Sequence, residues 1–249
     1  MLMILTFILA LNTLASGTCS SWYCIRNNNH SQPSLPNEFR YIENYDVYWC
    51  DSSNNEYNKE KVIYLTFDAG YENGNVEKIL DVLKNENVSA CFFVLDNLLL
   101  KNEALVKRMI DEGHTVGNHT LKHKDMTKLN KSEFISQLVS LEKLFFEKFN
   151  EKMPKFYRPP EGKFNEDNLV WAQELGYKTV MWSFAYADWD NGKQPSEEYA
   201  MKKILDNLHN GEVMLLHPTS KTNAAILSKM IKKLKDEGFR FGTVQELCE

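Results

Sequence analysis

An α/β fold built on a parallel sheet is what this 249-residue sequence predicts, and three features predict it. From Lys61 onward, short runs rich in β-branched and aromatic residues alternate with longer stretches whose apolar residues recur at helical spacing. The alternation continues for about 190 residues, which favours an α/β barrel or a doubly wound sheet. Unusual polar residues fall at the ends of the β-rich runs, not inside them.

Seven strands are expected, at residues 62–67, 90–95, 115–118, 156–158, 179–184, 212–216 and 239–244. Between them lie four buried stripes: Val76, Ile79, Leu80 and Leu83; Leu105, Val106, Met109 and Ile110; Phe134, Leu138, Leu141, Phe145 and Phe149; and Leu227, Met230, Ile231 and Leu234. Helix starts are marked by Asn130 with Glu133 three residues on, and by Ser196 after Pro195.

The N-terminal quarter reads differently. Residues 2–14 are almost wholly apolar and are followed by the small residues Ala15, Ser16 and Gly17, so residues 1–17 are expected to be a signal peptide and the protein to be exported. Residues 18–60 lack any sustained period, yet carry Trp22, Tyr23, Phe39, Tyr41, Tyr45, Tyr48 and Trp49. Such an aromatic-rich extension should pack along the main domain, residues 61–249. Cys24 and Cys50 both fall in it, and spacing alone fixes no pairing among the five cysteines. The hydrophobic fraction of 43% and charged fraction of 25% suit a globular protein with a sizeable core. A net charge of −5 argues against a nucleic-acid binder.

Candidate functional residues cluster at carboxyl ends of the expected strands: Asp68 after the first, His119 after the third, Arg158 after the fourth, Asp188 beyond the fifth and His217 after the sixth. In a barrel these ends share one face. Singly, each has an ordinary reading, since Asp68 could cap a helix expected at 75–85 and a lone His217 could be structural. His119 and His123, four residues apart, would share one face of a helical turn and could both reach one metal ion. Arg158 precedes Pro159 and Pro160, which hold it in extended geometry, and Asp188 is its natural carboxylate partner. His30, His114 and His209 lack such partners and read as structural.

In order and spacing, Thr66-Phe67-Asp68, His119-Thr-x-x-His123, Arg158-Pro-Pro, Asp188-Trp189 and Leu215-x-His217 resemble the motifs of the polysaccharide deacetylases, the NodB-homology carbohydrate esterases of family 4. The stretch from Phe67 to Gly74, Trp182-Ser183-x-Ala185, and Ser220-x-x-Asn223 are similar to the delta-lactam-biosynthetic de-N-acetylases of spore peptidoglycan. The resemblance implies a distorted (β/α)7 barrel, peptidoglycan glycan strands as partner with no nucleic acid or protein partner, and hydrolysis of the N-acetyl group of muramic acid. It implies Asp68 as general base, His119 and His123 as ligands of a divalent metal, commonly zinc, and His217 as general acid. Arg158 and Asp188 would orient and tune the base, Leu215 would meet the acetyl methyl, Trp189 would wall the groove, and the Glu161 N–H would stabilise the oxyanion.

Three positions depart from the family pattern. Ala69 replaces the usual aspartate ligand, leaving two histidines where a catalytic zinc normally has three protein ligands. Glu72 is a candidate replacement, though a first-turn helix carboxylate is its plainer reading. Glu161 follows Arg158-Pro-Pro where an aromatic or basic residue is usual, and Ala185 replaces an aspartate as the lactam-type resemblance leads one to expect. Two alternatives stand beside the muramic acid deacetylase: a carbohydrate-binding pseudoenzyme and a chitooligosaccharide deacetylase.

Overall fold

The structure, a computed structural model, describes residues 18–27, 29–53 and 60–249; the expected signal peptide lies outside them. Its strands are β1 (Ser20–Ser21), β2 (Val47–Tyr48), β3 (Lys61–Ala69), β4 (Cys91–Val94), β5 (Thr115–Asn118), β6 (Phe156–Tyr157), β7 (Lys163–Phe164), β8 (Lys178–Val180), β9 (Glu212–Leu216) and β10 (Phe239–Gly242). Its helices are α1 (Val76–Glu86), α2 (Asp96–Lys101), α3 (Glu103–Asp111), α4 (Lys131–Phe149), α5 (Glu166–Glu174), α6 (Glu197–Asn207), α7 (Lys221–Asp236) and α8 (Val244–Leu247).

All seven expected strands are present, and they pair in parallel within one sheet. β3 is the hub. Tyr64 is paired with both Val213 and Gly242, and Thr66 with both Cys91 and Leu215. Hence β9 takes one edge of β3, while β10 and then β4 share the other. From β4 the order runs through β5 and β6 to β8, and a bridge from Phe184 to Met214 returns to β9. The result is the distorted (β/α)7 barrel, with β2 of the extension added alongside β8 through Val47↔Thr179 and Tyr48↔Val180.

Strand alternation sorts β3 into two faces. Val62 and Tyr64 join Phe93, Val180 and Val213 in the barrel interior. Ile63, Leu65, Phe67 and Ala69 instead pack on the helix layer, against Ile79 and Leu80 of α1, Met109 of α3 and Leu227 of α7. Asp68 therefore continues the inward series of 62, 64 and 66, and the strand delivers its carboxylate at the carboxyl end of the barrel. The helices present the expected stripes: Val76, Ile79, Leu80 and Leu83 of α1 are all buried, as are Leu227, Met230, Ile231 and Leu234 of α7. Asn130 and Glu133 form a reciprocal capping box on α4, and Ser196 caps α6 by accepting from Tyr199 N.

Candidate active site

Asp68 and Arg158 form the first of two charge pairs. Arg158, 0% exposed, donates from Nη1 to Asp68 Oδ1 at 3.0 Å, from Nε to Val180 O at 2.9 Å and from Nη2 to Met181 O at 3.1 Å. Its guanidinium also lies 4.3 Å from the centre of the Phe93 ring. Burial pushes the Asp68 carboxyl up, but His119, Arg158 and His217 together outweigh it and hold the group below the usual carboxylate range. Of these three, only the arginine carries a permanent charge. Asp68 is thus an ionised carboxylate at neutral pH, as a general base must be.

Asp188 and His217 form the second pair, which corrects the expected Arg158–Asp188 contact. The guanidinium donates to Asp68 and two carbonyls, whereas fully buried Asp188 accepts from His217 Nδ1 at 2.7 Å, His217 N at 2.8 Å and Asn223 Nδ2 at 2.6 Å. Burial works against an imidazolium at 217, but the Asp188 hydrogen bond and charge, with Asp68 beyond, raise its pKa above the ordinary value. Asn223 belongs to the first turn of α7, whose cap Ser220 accepts from Asn223 N at 3.1 Å. Its side chain also bonds the Tyr186 hydroxyl and the His217 carbonyl. The serine cap three residues upstream marks the start of α7 in sequence; nothing local foretells that Asn223 reaches Asp188.

His119 and His123 come together, but not on a helical turn. Thr120 (φ 73°) and His123 (φ 53°) are both left-handed, and this loop is tied by Thr120 N donating to Asn118 Oδ1 and His123 N donating to Thr120 Oγ1, each at 2.9 Å. These local side-chain bonds offer the backbone an alternative to helix. The two rings still meet, with centres 5.0 Å apart at 70°. Nδ1 of His119 lies 2.8 Å from the Arg158 carbonyl, which only accepts, so that nitrogen carries the proton and Nε2 keeps its lone pair toward Asp68 Oδ2, 3.6 Å away. Burial pushes the His119 pKa down to about 4, so the ring is neutral near pH 7. Two imidazoles so prepared suit a divalent cation, yet among the described residues no group of three His, Cys, Asp or Glu side chains has a ligating arrangement. Ala69 faces the helix layer and offers no donor. Glu72 is committed elsewhere, accepting from Gly74 N and from Val76 N at the start of α1.

A cleft of about 740 Å³ gathers these groups, with Asp68, His119, His123 and His217 on its walls. Leu215, Glu161, Trp182 and Tyr71 also face it. Trp189 stands at its rim, 59% exposed, its ring 6.2 Å from that of His217. Tyr71, opposite in sequence but adjacent in space, is held by Asn191 two residues beyond Trp189. Glu161 turns into the cleft through a left-handed backbone (φ 56°), and its carboxylate is paired with Lys163 at 2.7 Å. The next residue has to be glycine, because a Cβ at Gly162 would lie 2.7 Å from the Trp182 ring and 2.9 Å from Trp22. His209, by contrast, contacts Ser183 Oγ and Glu212 in a sequestered cluster away from the cleft, as its structural reading requires.

Asp68, Arg158, His119, His123, Asp188, Trp189, Leu215, Glu161 and His217 are thus assembled around one cleft. Comparison with known proteins agrees with this chemistry. The polysaccharide deacetylase family model matches residues 55–180. The peptidoglycan-N-acetylmuramic acid deacetylase PdaA of Bacillus subtilis is 37% identical over 228 residues, 91% of this chain and 85% of that protein. The peptidoglycan-N-acetylglucosamine deacetylase PgdA of Listeria monocytogenes is 37% identical over 187 residues, 75% of this chain and 39% of the relative. The structure of Bacillus subtilis PdaA, a family 4 carbohydrate esterase, superposes with a TM-score of 0.86 at 36% identity, covering 92% of this chain and 97% of that one. This chain belongs to the polysaccharide deacetylase family, hydrolases of the amide bonds of carbohydrate N-acetyl groups.

Proposed function

We propose that this protein is an exported peptidoglycan deacetylase that removes the N-acetyl group of N-acetylmuramic acid, preparing the sugar for delta-lactam formation in spore cortex. The observation that carries the reading is a base and an acid facing one cleft, each with its own buried partner: Arg158 on Asp68 and Asp188 on His217. The choice of muramic acid rests on similarity to PdaA over nine-tenths of the chain.

In this mechanism Asp68 takes the proton of the attacking water, its orientation fixed by the Arg158 fork. His217 gives a proton to the departing amine, and Asp188 keeps that proton on the ring until it is needed. The N–H of Glu161 meets the developing oxyanion, Leu215 packs on the acetyl methyl and Trp189 walls the sugar. His119 and His123 would hold a divalent ion, zinc in this reading, which when bound supplies Lewis-acid polarisation of the carbonyl and an acidified water. With two protein donors, it should be held more weakly than in a three-ligand site.

The test is acetate release from peptidoglycan fragments by wild type, Asp68→Asn and His119→Ala, with chelator and with added Zn²⁺. Release by wild type, lost in Asp68→Asn, is expected. The missing donor at Ala69 favours one rival, a glycan-binding protein without catalysis; binding without release at saturating metal would establish it.

A further inference from the structure

The N-terminal extension carries three cysteines that the deacetylase reading does not use, Cys19, Cys24 and Cys50. Trp22, Cys24 and Arg26, alternate residues of the extension, run along the segment that forms one wall of the cleft and reach three of its carbonyls: Trp22 Nε1 donates to Trp182 O at 2.8 Å, Cys24 Sγ to Ser183 O at 3.3 Å and Arg26 Nη2 to Ala185 O at 2.8 Å. Trp182 and Ala185 both line the cleft. The other end of the extension arrives at the same place from a different direction. Cys50 bridges Glu212 at the start of β9, and Asp51 N donates to Gly211 O at 2.9 Å. Ser183 and β9 are themselves joined, by Ser183 N to Val213 O at 3.0 Å and by Val213 N to Ser183 Oγ at 2.9 Å. Cys24 therefore bonds Ser183 from one side, and Cys50 pairs with the strand to which Ser183 is joined.

The other cysteines are placed elsewhere. Cys91 and Cys248 lie in the interior hydrophobic cluster, and exposed Cys19 contacts Thr127. We propose that Cys24 and Cys50 form a disulfide over Ser183, stapling the two ends of the extension to each other across the back of the cleft wall. The oxidant is a small-molecule or protein disulfide of the exchange type. One cysteine thiolate attacks it and expels a thiol, and the second thiolate attacks the mixed disulfide and expels the other thiol. Two protein thiols are oxidised, one disulfide is reduced to two thiols, and no other redox partner is needed. Export would bring the chain into a compartment where such a bond persists.

The test refolds the reduced full chain in a glutathione and glutathione disulfide buffer, then maps peptides without reduction. A cross-linked peptide joining Cys24 to Cys50, lighter by two hydrogens, is expected in wild type and in Cys19→Ser. Closing a loop of this length should make reductant lower Tm by on the order of 10 °C. Cys24→Ser and Cys50→Ser should unfold at a temperature independent of reductant. Recovery of Cys24 and Cys50 as free thiols, or either of them linked to another cysteine, would overturn the proposal, and the wild-type map decides this even if a variant fails to fold.

Discussion

Asp188→Asn is the substitution that most directly probes the proposed acid. Asp188 is fully buried and accepts three hydrogen bonds, two from His217 and one from Asn223. Asparagine fits the same space but has a single carbonyl oxygen. If that oxygen keeps the His217 and Asn223 donors now on Oδ2, the new NH2 faces His217 Nδ1 and forces it to accept. The neutral ring is then favoured and the imidazolium loses the contact that offsets its burial, so the pKa of His217 falls. General acid catalysis contributes roughly 10²–10⁴-fold, and the loss in kcat/KM should lie in that range; 10³-fold corresponds to about 4 kcal/mol of barrier. The pH dependence carries the sign. In wild type the raised pKa keeps the acid protonated as pH rises, so the basic limb of the profile lies above the ordinary histidine value; in the variant it moves to lower pH. Stability follows the same linkage: the wild-type contribution is fully present below the unfolded value of about 6.5 and is lost as pH rises through the folded value, whereas the variant lacks it. Acetate release measured across pH, with circular dichroism confirming the fold, is the assay. An unmoved basic limb, or a loss below tenfold at every pH, would refute the assignment of Asp188 as the partner that keeps His217 charged.

Arg158→Met should be severe for folding as well as activity, because it leaves Asp68 without its fixed counter-charge and orphans two carbonyls; breaking a buried pair costs about 3–5 kcal/mol, which chemical denaturation would show. Calorimetric titration of metal-free protein with Zn²⁺ should give one site, lost in His119→Ala and in His123→Ala, while chelator should abolish acetate release and added Zn²⁺ restore it. Glu72→Ala should leave that titration unchanged but lower stability by about 1 kcal/mol, since the carboxylate caps the first turn of α1. A change in metal affinity in that variant would return Glu72 to the ligand set.

The strand runs and helix stripes were legible because both follow local periodicity: β5 and β9 match their expected bounds, and every residue of the α1 and α7 stripes is buried. The candidate residues were legible for a related reason, as strand ends of a parallel barrel share a face whatever the exact closure. What escaped depends on distance in sequence. Whether Arg158 reaches Asp68 or Asp188 is decided by the order in which β3, β6 and β8 stand around the barrel, 90 residues separating the pair that forms. The His119 loop misled because i, i+4 spacing implies a shared face only where the backbone is helical, and Thr120 and His123 are left-handed. β2 escaped as two residues in an irregular stretch, and α5 because its apolar residues make no clear stripe.

The saturation of β3 on both edges bears on how the molecule comes apart. A strand paired with β9 on one side and with β10 and β4 on the other gives up its backbone bonds only when the sheet itself opens, so its amides should be among the last to exchange with solvent. Asp68, the proposed base, sits on this strand, and His217, the proposed acid, follows directly on its neighbour β9, which places both in the most persistent cooperative unit of the fold. The paired histidines follow the shorter β5, in a loop held by side-chain bonds. Mild denaturant would therefore loosen the His119–His123 pair before it disturbed Asp68 and His217.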